Sequence, residues 1–281
     1  MRSVMLLRVD KIRFEYPGEP EILKEATFSA DKGEIVAIIG PNGSGKTTLL
    51  MVAAGLLDPS KGNVYVEDKP LRDQLPKIRS RIGLVFQEPD DQLFNPTVYE
   101  ELAFALRQLL DSVEEVDEKV RKITKKFDLK EIINKPPYKL SIGEKRIVAL
   151  ASVIAYDPDI LLLDEPTANL SSGPIKAIEE ILQEAKKSGK VVVIASHDVE
   201  FVASVSDRIY VINRGAIIGG INARSILSDN SMLTIADMNP PLVLQTLREL
   251  RLESENTPMT IRELSNYPKK HVVKRLLKMH S

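Results

Sequence analysis

Gly40-Pro41-Asn42-Gly43-Ser44-Gly45-Lys46-Thr47 lies between the apolar run Ile35 to Ile39 and a helix-like stretch from Thr48 to Leu56. Glycines reach backbone angles that side chains forbid, so successive N–H groups can face one concavity and receive the oxygens of a phosphate chain. In such a loop Lys46 reaches the β- and γ-phosphates as a point charge and Thr47 Oγ ligates Mg²⁺. The helix that follows turns its positive end to the same anion. The plain alternative is an ordinary Gly-rich turn from strand to helix. The eight-residue pattern arises by chance in about one chain per hundred of this size, and here strand, loop and helix all stand in the required order. The stretch therefore predicts nucleotide binding.

The chain has 281 residues, enough for a full α/β core with a smaller appendage. Basic and acidic residues number 39 and 40, for a net charge of -1. A nucleic-acid clamp would show a basic surplus or a run of Lys and Arg, so none is expected. Cysteine is absent, which removes disulfides and thiolate metal sites and suits a reducing cytosol. Apolar runs such as Ile160 to Leu163 and Val191 to Ala195 are strand-length, far short of the roughly 20 residues a membrane-spanning helix needs. Met1 to Asp10 alternates like a strand and lacks the order of a signal peptide.

Read in order, Val4 to Phe14 and Glu21 to Ser29 form an antiparallel pair across Tyr16 to Pro20. Glu34 to Ile39, Val64 to Val66 and Ile82 to Phe86 are further strands, and Pro89 to Pro96 is loop. Thr97 to Leu110 reads as a helix with Val98, Leu102, Ala105 and Leu109 on its apolar face, followed by Glu115 to Phe127. Ser141 opens a helix through Ala155. Ile160 to Leu163, a helix from Ile175 to Lys187, and Val191 to Ala195 then follow. Wholly apolar strands alternating with helices imply a parallel sheet covered on both faces. Ile209 to Asn213 and Ala216 to Ile221 form a last hairpin. Beyond Asn222 the chain turns polar and helical, with a helix at Leu242 to Leu250 carrying Leu244, Leu247 and Leu250.

Several polar residues fall at the carboxyl ends of core strands, where a parallel sheet forms its ligand crevice. Asp164 and Glu165 end the Ile160 strand; Asp164 suits a Mg²⁺ shell and Glu165 suits polarisation of an attacking water. On its own, such an acidic pair is equally a helix cap. His197 ends the Val191 strand, where a neutral imidazole can donate to a γ-phosphate oxygen. Gln87 ends the Ile82 strand and can offer its amide oxygen to Mg²⁺ or water. Ser141 with Glu144 three residues on is a capping box; it also offers Ser141 Oγ and the Gly143 N–H to a phosphate on a partner.

These elements, in this order, resemble the ATP-binding subunit of ATP-binding cassette (ABC) transporters over roughly residues 4 to 221. The resemblance implies ATP and Mg²⁺ as ligands. It assigns Gly40 to Thr48, including Pro41, Asn42, Gly43, Ser44, Gly45, Lys46, Thr47 and Thr48, to the Walker A loop and Gln87 to the Q-loop. It assigns Leu140 to Glu144 to the signature, Ile160 to Glu165 to Walker B, His197 to the switch histidine, and Tyr16 to the place where an aromatic stacks on adenine. A turn tyrosine packed on its own hairpin explains Tyr16 equally. The family works as a head-to-tail dimer, each ATP held between the Walker A loop of one subunit and the signature of the other.

Phe86 to Phe94, with Gln87-Glu88-Pro89-Asp90-Asp91-Gln92 inside it, and the tail after Asn222 look more narrowly like the ATPase subunits of energy-coupling factor importers, which serve vitamins, cobalt and nickel. That likeness implies a transmembrane coupling protein touching Asp90, Asp91 and Gln92, a substrate-binding membrane protein, and residence on the cytoplasmic face of the membrane. Two departures stand out. Ile142 and Glu144 replace glycine and glutamine of the usual signature, and Ser171 replaces an aspartate of the D-loop.

The expected architecture is thus an α/β P-loop NTPase core, mostly parallel, with an N-terminal antiparallel β subdomain. A helical insert at about 88–157 completes a nucleotide-binding domain over 1–221, and 222–281 is a small helical extension for dimerisation or regulation, or a stabilising cap. The expected activity is ATP hydrolysis powering solute import. The alternatives are a soluble cassette switch acting on nucleic acid or ribosomes, or a weakly hydrolysing regulatory subunit.

Overall fold

The computed structural model describes residues 5–254 and 256–267. Among these residues ten strands build two sheets. Strands β1 (Met5–Phe14), β2 (Leu23–Asp31), β4 (Lys61–Val66) and β5 (Lys69–Pro70) form an antiparallel sheet in the order β2-β1-β4-β5. The larger sheet runs β10-β9-β3-β8-β7-β6, comprising β3 (Ile35–Ile39), β6 (Ile82–Val85), β7 (Ile160–Asp164), β8 (Val191–Ser196), β9 (Arg208–Asn213) and β10 (Ala216–Asn222). All its pairings are parallel except the edge hairpin β9–β10.

Apolar strands without alternation are explained by what covers them. Leu161 and Leu163 of β7 face the helical insert and the helix Ser172–Lys187, whereas Ile160 and Leu162 face the antiparallel sheet and the helix Lys46–Ala53. With both faces dry, nothing selects for a polar side chain along the strand. The same division runs through β3: Val36 and Ile38 point to the antiparallel sheet, Ala37 and Ile39 to the tail.

Where the structure departs from the periodic reading, packing gives the reason. The helix Val98–Leu109 buries Val98, Leu102, Ala103 and Leu106 against the helix Ile142–Ala155, and Leu109 is 47 % exposed. The stripe follows i, i+4, i+8 and leaves Ala105 and Leu109 off the buried face. The helix expected from Ile175 begins at Ser172; Pro174 falls in its first turn, where a missing N–H costs nothing. In the tail, the helix Leu242–Glu249 buries Val243, Leu244 and Leu247, and Leu250 lies beyond its end and exposed.

The tail is joined to the sheet by a common core. Ala223, Ile226, Leu227, Leu233, Ala236, Leu244 and Met259 pack with Ala37, Ile39, Val202, Ile209 and Val211. Side chains alternate along β9, with Tyr210 and Ile212 turned the other way. Truncating a fully buried leucine leaves a cavity, so Leu233→Ala should cost roughly 2–5 kcal/mol. Chemical denaturation should show one transition moved to lower denaturant; an early separate step confined to the tail would show that 222–267 unfolds on its own.

Candidate active site

Strand register creates the site. Ile39 pairs with Ser196, Ala195 with Asp164, and Leu163 with Val85. Four neighbouring strands therefore end nearly level, and the residues that step off them, Gly40, His197, Glu165 and Gln87, arrive at one edge. The cleft there is about 420 Å³ and is lined by Ile22, Asn42, Gly43, Gly45, Lys46, Thr47, Thr48, Gln87, Asp164, Glu165 and His197.

The loop's glycines are required by space and angle. A Cβ on Gly40 would stand 2.1 Å from the Ile212 carbonyl oxygen, and Gly45 has φ 105° as it caps the helix Lys46–Ala53. Lys46 is buried, and its ammonium donates to the carbonyls of Gly40 at 2.8 Å and Pro41 at 3.2 Å. Burial holds this amine below the usual lysine range, with the charges of Glu165 and Asp164 opposing that shift. Ser44 is buried with its Oγ unpartnered. Pro41 lines a second recess, shared with Asn213, Arg214 and the tail residues Thr234, Ile235 and Asp237.

Two carboxylates meet the loop. Asp164 Oδ2 accepts from Thr47 Oγ1 at 2.5 Å, and its Oδ1 is buried without a partner. Burial pushes the Asp164 carboxyl up from the ordinary range, the Thr47 bond opposes this, and neighbouring Glu165 adds to it. Glu165, 3 % exposed, adopts φ 46°, a left-handed conformation rare for a side-chain-bearing residue. Its Oε2 accepts from Ser196 Oγ and the His197 N–H, both at 3.3 Å. His197 Nδ1 lies 2.8 Å from Glu165 Oε1, and Lys46 Nζ lies 4.0 Å from the same oxygen.

His197 thus stands at the cleft against Glu165, and the approach is not a hydrogen bond, since Glu165 Oε1 is buried without a hydrogen-bond partner.

Other expected residues lie elsewhere. Tyr16 packs edge-on against Phe14, ring centroids 4.9 Å apart, and does not line the cleft. Ser141, Gly143 and Glu144 also lie outside it. The capping box is present, Ser141 Oγ accepting from the Glu144 N–H at 3.3 Å and the Glu144 carboxylate from the Ser141 N–H at 2.7 Å. Gln92, expected to face a partner, points inward: its amide donates to the Ala149 carbonyl at 2.9 Å and Ser152 Oγ at 3.2 Å, and its oxygen accepts from the Phe86 N–H at 3.2 Å. Asp90 is paired with Lys145 at 2.6 Å.

Three contributors went unread in the sequence. Ile22 lines the cleft and Ser196 holds Glu165; neither carries a distinguishing pattern. Arg146 is buried and donates to the Glu165 carbonyl at 3.1 Å. Its signal was available, since 146, 150 and 153 share one helical face whose other members are apolar.

The model of the ABC transporter family matches residues 23–168. The chain belongs to the ABC transporter family. The energy-coupling factor transporter ATP-binding protein EcfA of Methanocaldococcus jannaschii is 36 % identical over 257 residues, which is 90 % of this chain and 92 % of that protein. CbiO1 of Clostridium perfringens, described as part of the ABC transporter complex cbiONQ, superposes with a TM-score of 0.73 at 31 % identity, over 88 % of this chain and 98 % of that one. An ABC transporter cassette solved in its ADP conformation gives 0.68 at 28 % identity, over 82 % and 98 %. This ABC subunit is accordingly an ATP-binding α/β cassette and an ATPase coupled to transport. No helix among its described residues is long and apolar enough to cross a membrane.

Burial of the Asp164 carboxylate has a measurable cost. Its folded pKa stands above the unfolded value of 3.8, so the folded state binds the proton more tightly and stability falls as pH rises through that window. Asp164→Asn keeps an acceptor for Thr47 and removes the charge. In EDTA at pH 7 without nucleotide it should raise stability by ~1 kcal/mol, roughly 2–4 °C in Tm. The gain should shrink as pH is lowered and the wild-type carboxyl takes up its proton; an equal gain at neutral and acid pH would contradict the burial cost.

Proposed function

We propose that the cleft hydrolyses Mg-ATP as one half of a cassette pair, and that turnover powers energy-coupling-factor-type import of a vitamin or transition metal ion through membrane partners. The observation that supports this best is the level ending of β3, β8, β7 and β6, which gathers Lys46, Thr47, Asp164, Glu165, His197 and Gln87 around one cleft.

In this reading the amides of Gly43 to Thr48 and the Lys46 ammonium receive the β- and γ-phosphates. An incoming anion favours the charged form of Lys46 that burial disfavours. Thr47, Asp164 and Gln87 would hold Mg²⁺. The orphaned Asp164 Oδ1 fits that task, and no cluster of three or more His, Cys, Asp or Glu among the described residues offers an all-protein site, as suits a cation shared with phosphate. Bound Mg²⁺ supplies neutralisation of charge on the β- and γ-oxygens. Glu165 orients the attacking water for in-line displacement at the γ-phosphorus, and His197 steadies Glu165 from its far side. Ser141, Gly143 and Glu144, exposed or half-buried at a helix N-terminus, serve the nucleotide of the partner cassette, and Tyr16 reaches adenine by leaving Phe14.

The surface for membrane partners centres on Phe94 and Phe104. These rings are 69 % and 46 % exposed and meet edge to face at 5.0 Å beside the Q-loop segment. Asp91 is exposed beside them. The same reading puts the subunit on the cytoplasmic membrane face. A nucleic-acid or ribosome switch finds no basic surplus in the charge balance, and Ser171 alone, an N-cap without a side-chain cap bond, does not favour a non-hydrolysing subunit while Glu165 is intact.

Glu165→Gln should bind Mg-ATP and accumulate paired cassettes, seen by size-exclusion chromatography, with turnover reduced roughly 100-fold or more; near-normal turnover would remove Glu165 from the reaction. Lys46→Ala should abolish Mg-ATP binding by calorimetry, and unchanged affinity would refute the loop assignment. Replacing Phe94 and Phe104 together by alanine should leave Mg-ATP affinity within about twofold and prevent recovery of the subunit with its membrane partners, as expected for central aromatic anchors.

A further inference from the structure

Glu165 holds a backbone conformation that its own residue type disfavours, so the surroundings must impose it. Three main-chain bonds do so. The Glu165 N–H donates to the Ala195 carbonyl at 2.8 Å; its carbonyl accepts from the Ala168 N–H at 3.2 Å and from Arg146 Nη1 at 3.1 Å. The last comes from a different element, the helix Ile142–Ala155 that begins at the Ser141 cap.

Arg146 is an expensive choice for this place. It is 5 % exposed, its Nε has no hydrogen-bond partner, and no ion pair to it is found among the described residues. Placing a guanidinium in the interior against a neutral carbonyl costs more than an apolar side chain of the same volume would. A residue retained there at such a cost has a task beyond packing.

We propose that Arg146 is a positioning residue for Glu165: its guanidinium grips the Glu165 carbonyl, fixes the left-handed backbone that aims the carboxylate, and ties that acid to the signature helix of its own chain. Lys145, one residue earlier, ties the same helix to Asp90, and Gln92 ties it to the Phe86 amide. A shift of this helix on engaging a neighbour's nucleotide is then felt directly at Glu165. The acid that serves one nucleotide thereby senses the occupancy of the other site in the pair. This rests on the proposed role of Glu165 in hydrolysis.

The test compares two replacements of similar length. R146Q keeps an N–H donor and drops the charge; R146M keeps neither. With the full-length chain and Mg-ATP, R146M should lower kcat by roughly 10- to 100-fold with KM within about twofold, whereas R146Q should stay within about fivefold of wild type. Amide exchange in the segment 165–170 should quicken in R146M and not in R146Q. On an E165Q background, R146M should cause no further loss of turnover beyond about twofold, because the two residues act as one unit. Wild-type kcat in folded R146M, equal losses in both variants, or an undiminished loss on the E165Q background would each overturn the proposal. Should R146M fail to fold, R146L, which also lacks a donor, carries the same comparison against R146Q, with the roughly 10- to 100-fold loss of kcat expected and kcat equal to wild type with unchanged exchange at 165–170 overturning it. Calorimetric titration with Mg-ATP separates this from the site reading: a wild-type chain that binds no nucleotide refutes the site, whereas the role of Arg146 stands or falls on the variant series.

Discussion

Two carboxylates buried side by side at the end of one strand set the terms for the rest of the molecule. Asp164 and Glu165 are each almost wholly out of water, and adjacent like charges in the interior repel as well as lose hydration. Lys46 answers them from the phosphate loop, Thr47 and Ser196 by hydroxyl donation, and His197 by close approach. The compensation is incomplete, since Asp164 Oδ1 has no partner and burial pulls Lys46 and Asp164 toward their neutral forms. A site left in this state has free energy to release when charges of the right sign and place arrive. Sacrificing stability where chemistry occurs is the common trade at functional sites.

The parallel sheet makes this crowding unavoidable. In a parallel array every strand delivers its carboxyl end to the same edge, and the dry faces on both sides leave loops as the only place for polar groups. Four strands ending level bring together residues as distant in the chain as Gly40 and His197. The helix Ile142–Ala155 crosses behind them as a common strut. Its first turn is capped by Ser141 and Glu144, its second contacts Asp90 through Lys145 and Glu165 through Arg146, and its middle receives Gln92. A displacement at any one of these points cannot stay local, because packed interiors shift in discrete steps rather than deform smoothly.

Much of this was legible in the sequence because it rests on short-range rules. The phosphate loop is read from glycine freedom, the capping box from a three-residue spacing, and the buried strands from unbroken apolar runs. Strand order was not legible, yet the functional reading survived, since any parallel arrangement sends Gly40, Asp164 and His197 to one edge. What failed depends on the third dimension. Gln92 read as a solvent-facing polar residue because nothing local reveals that a helix carbonyl and hydroxyl from 149 and 152 meet its amide. The apolar stripe of Val98–Leu109 was placed one step off because the neighbouring helix, not the periodicity, chooses the buried face. Arg146 escaped notice since a basic residue in a polar helix start is ordinary until the rest of its face proves buried.

The tail belongs to the same physical argument. Gly40 tolerates no side chain because the Ile212 carbonyl of β9 would stand 2.1 Å from any Cβ, so β9 fixes the height of the phosphate loop. Strand β9 is in turn wedged between two cores: Tyr210 and Ile212 face the antiparallel sheet, and Ile209 and Val211 face Ala223, Ile226, Leu233 and Leu244 of the tail. Asn213, at the end of the same strand, donates to the Ile235 carbonyl at 2.7 Å. Loosening the tail therefore frees β9 on one side and, through Ile212, the floor under Gly40. The described residues after Asn222 thus support β9, and β9 lies against Gly40, so two packed layers connect the tail to the nucleotide loop.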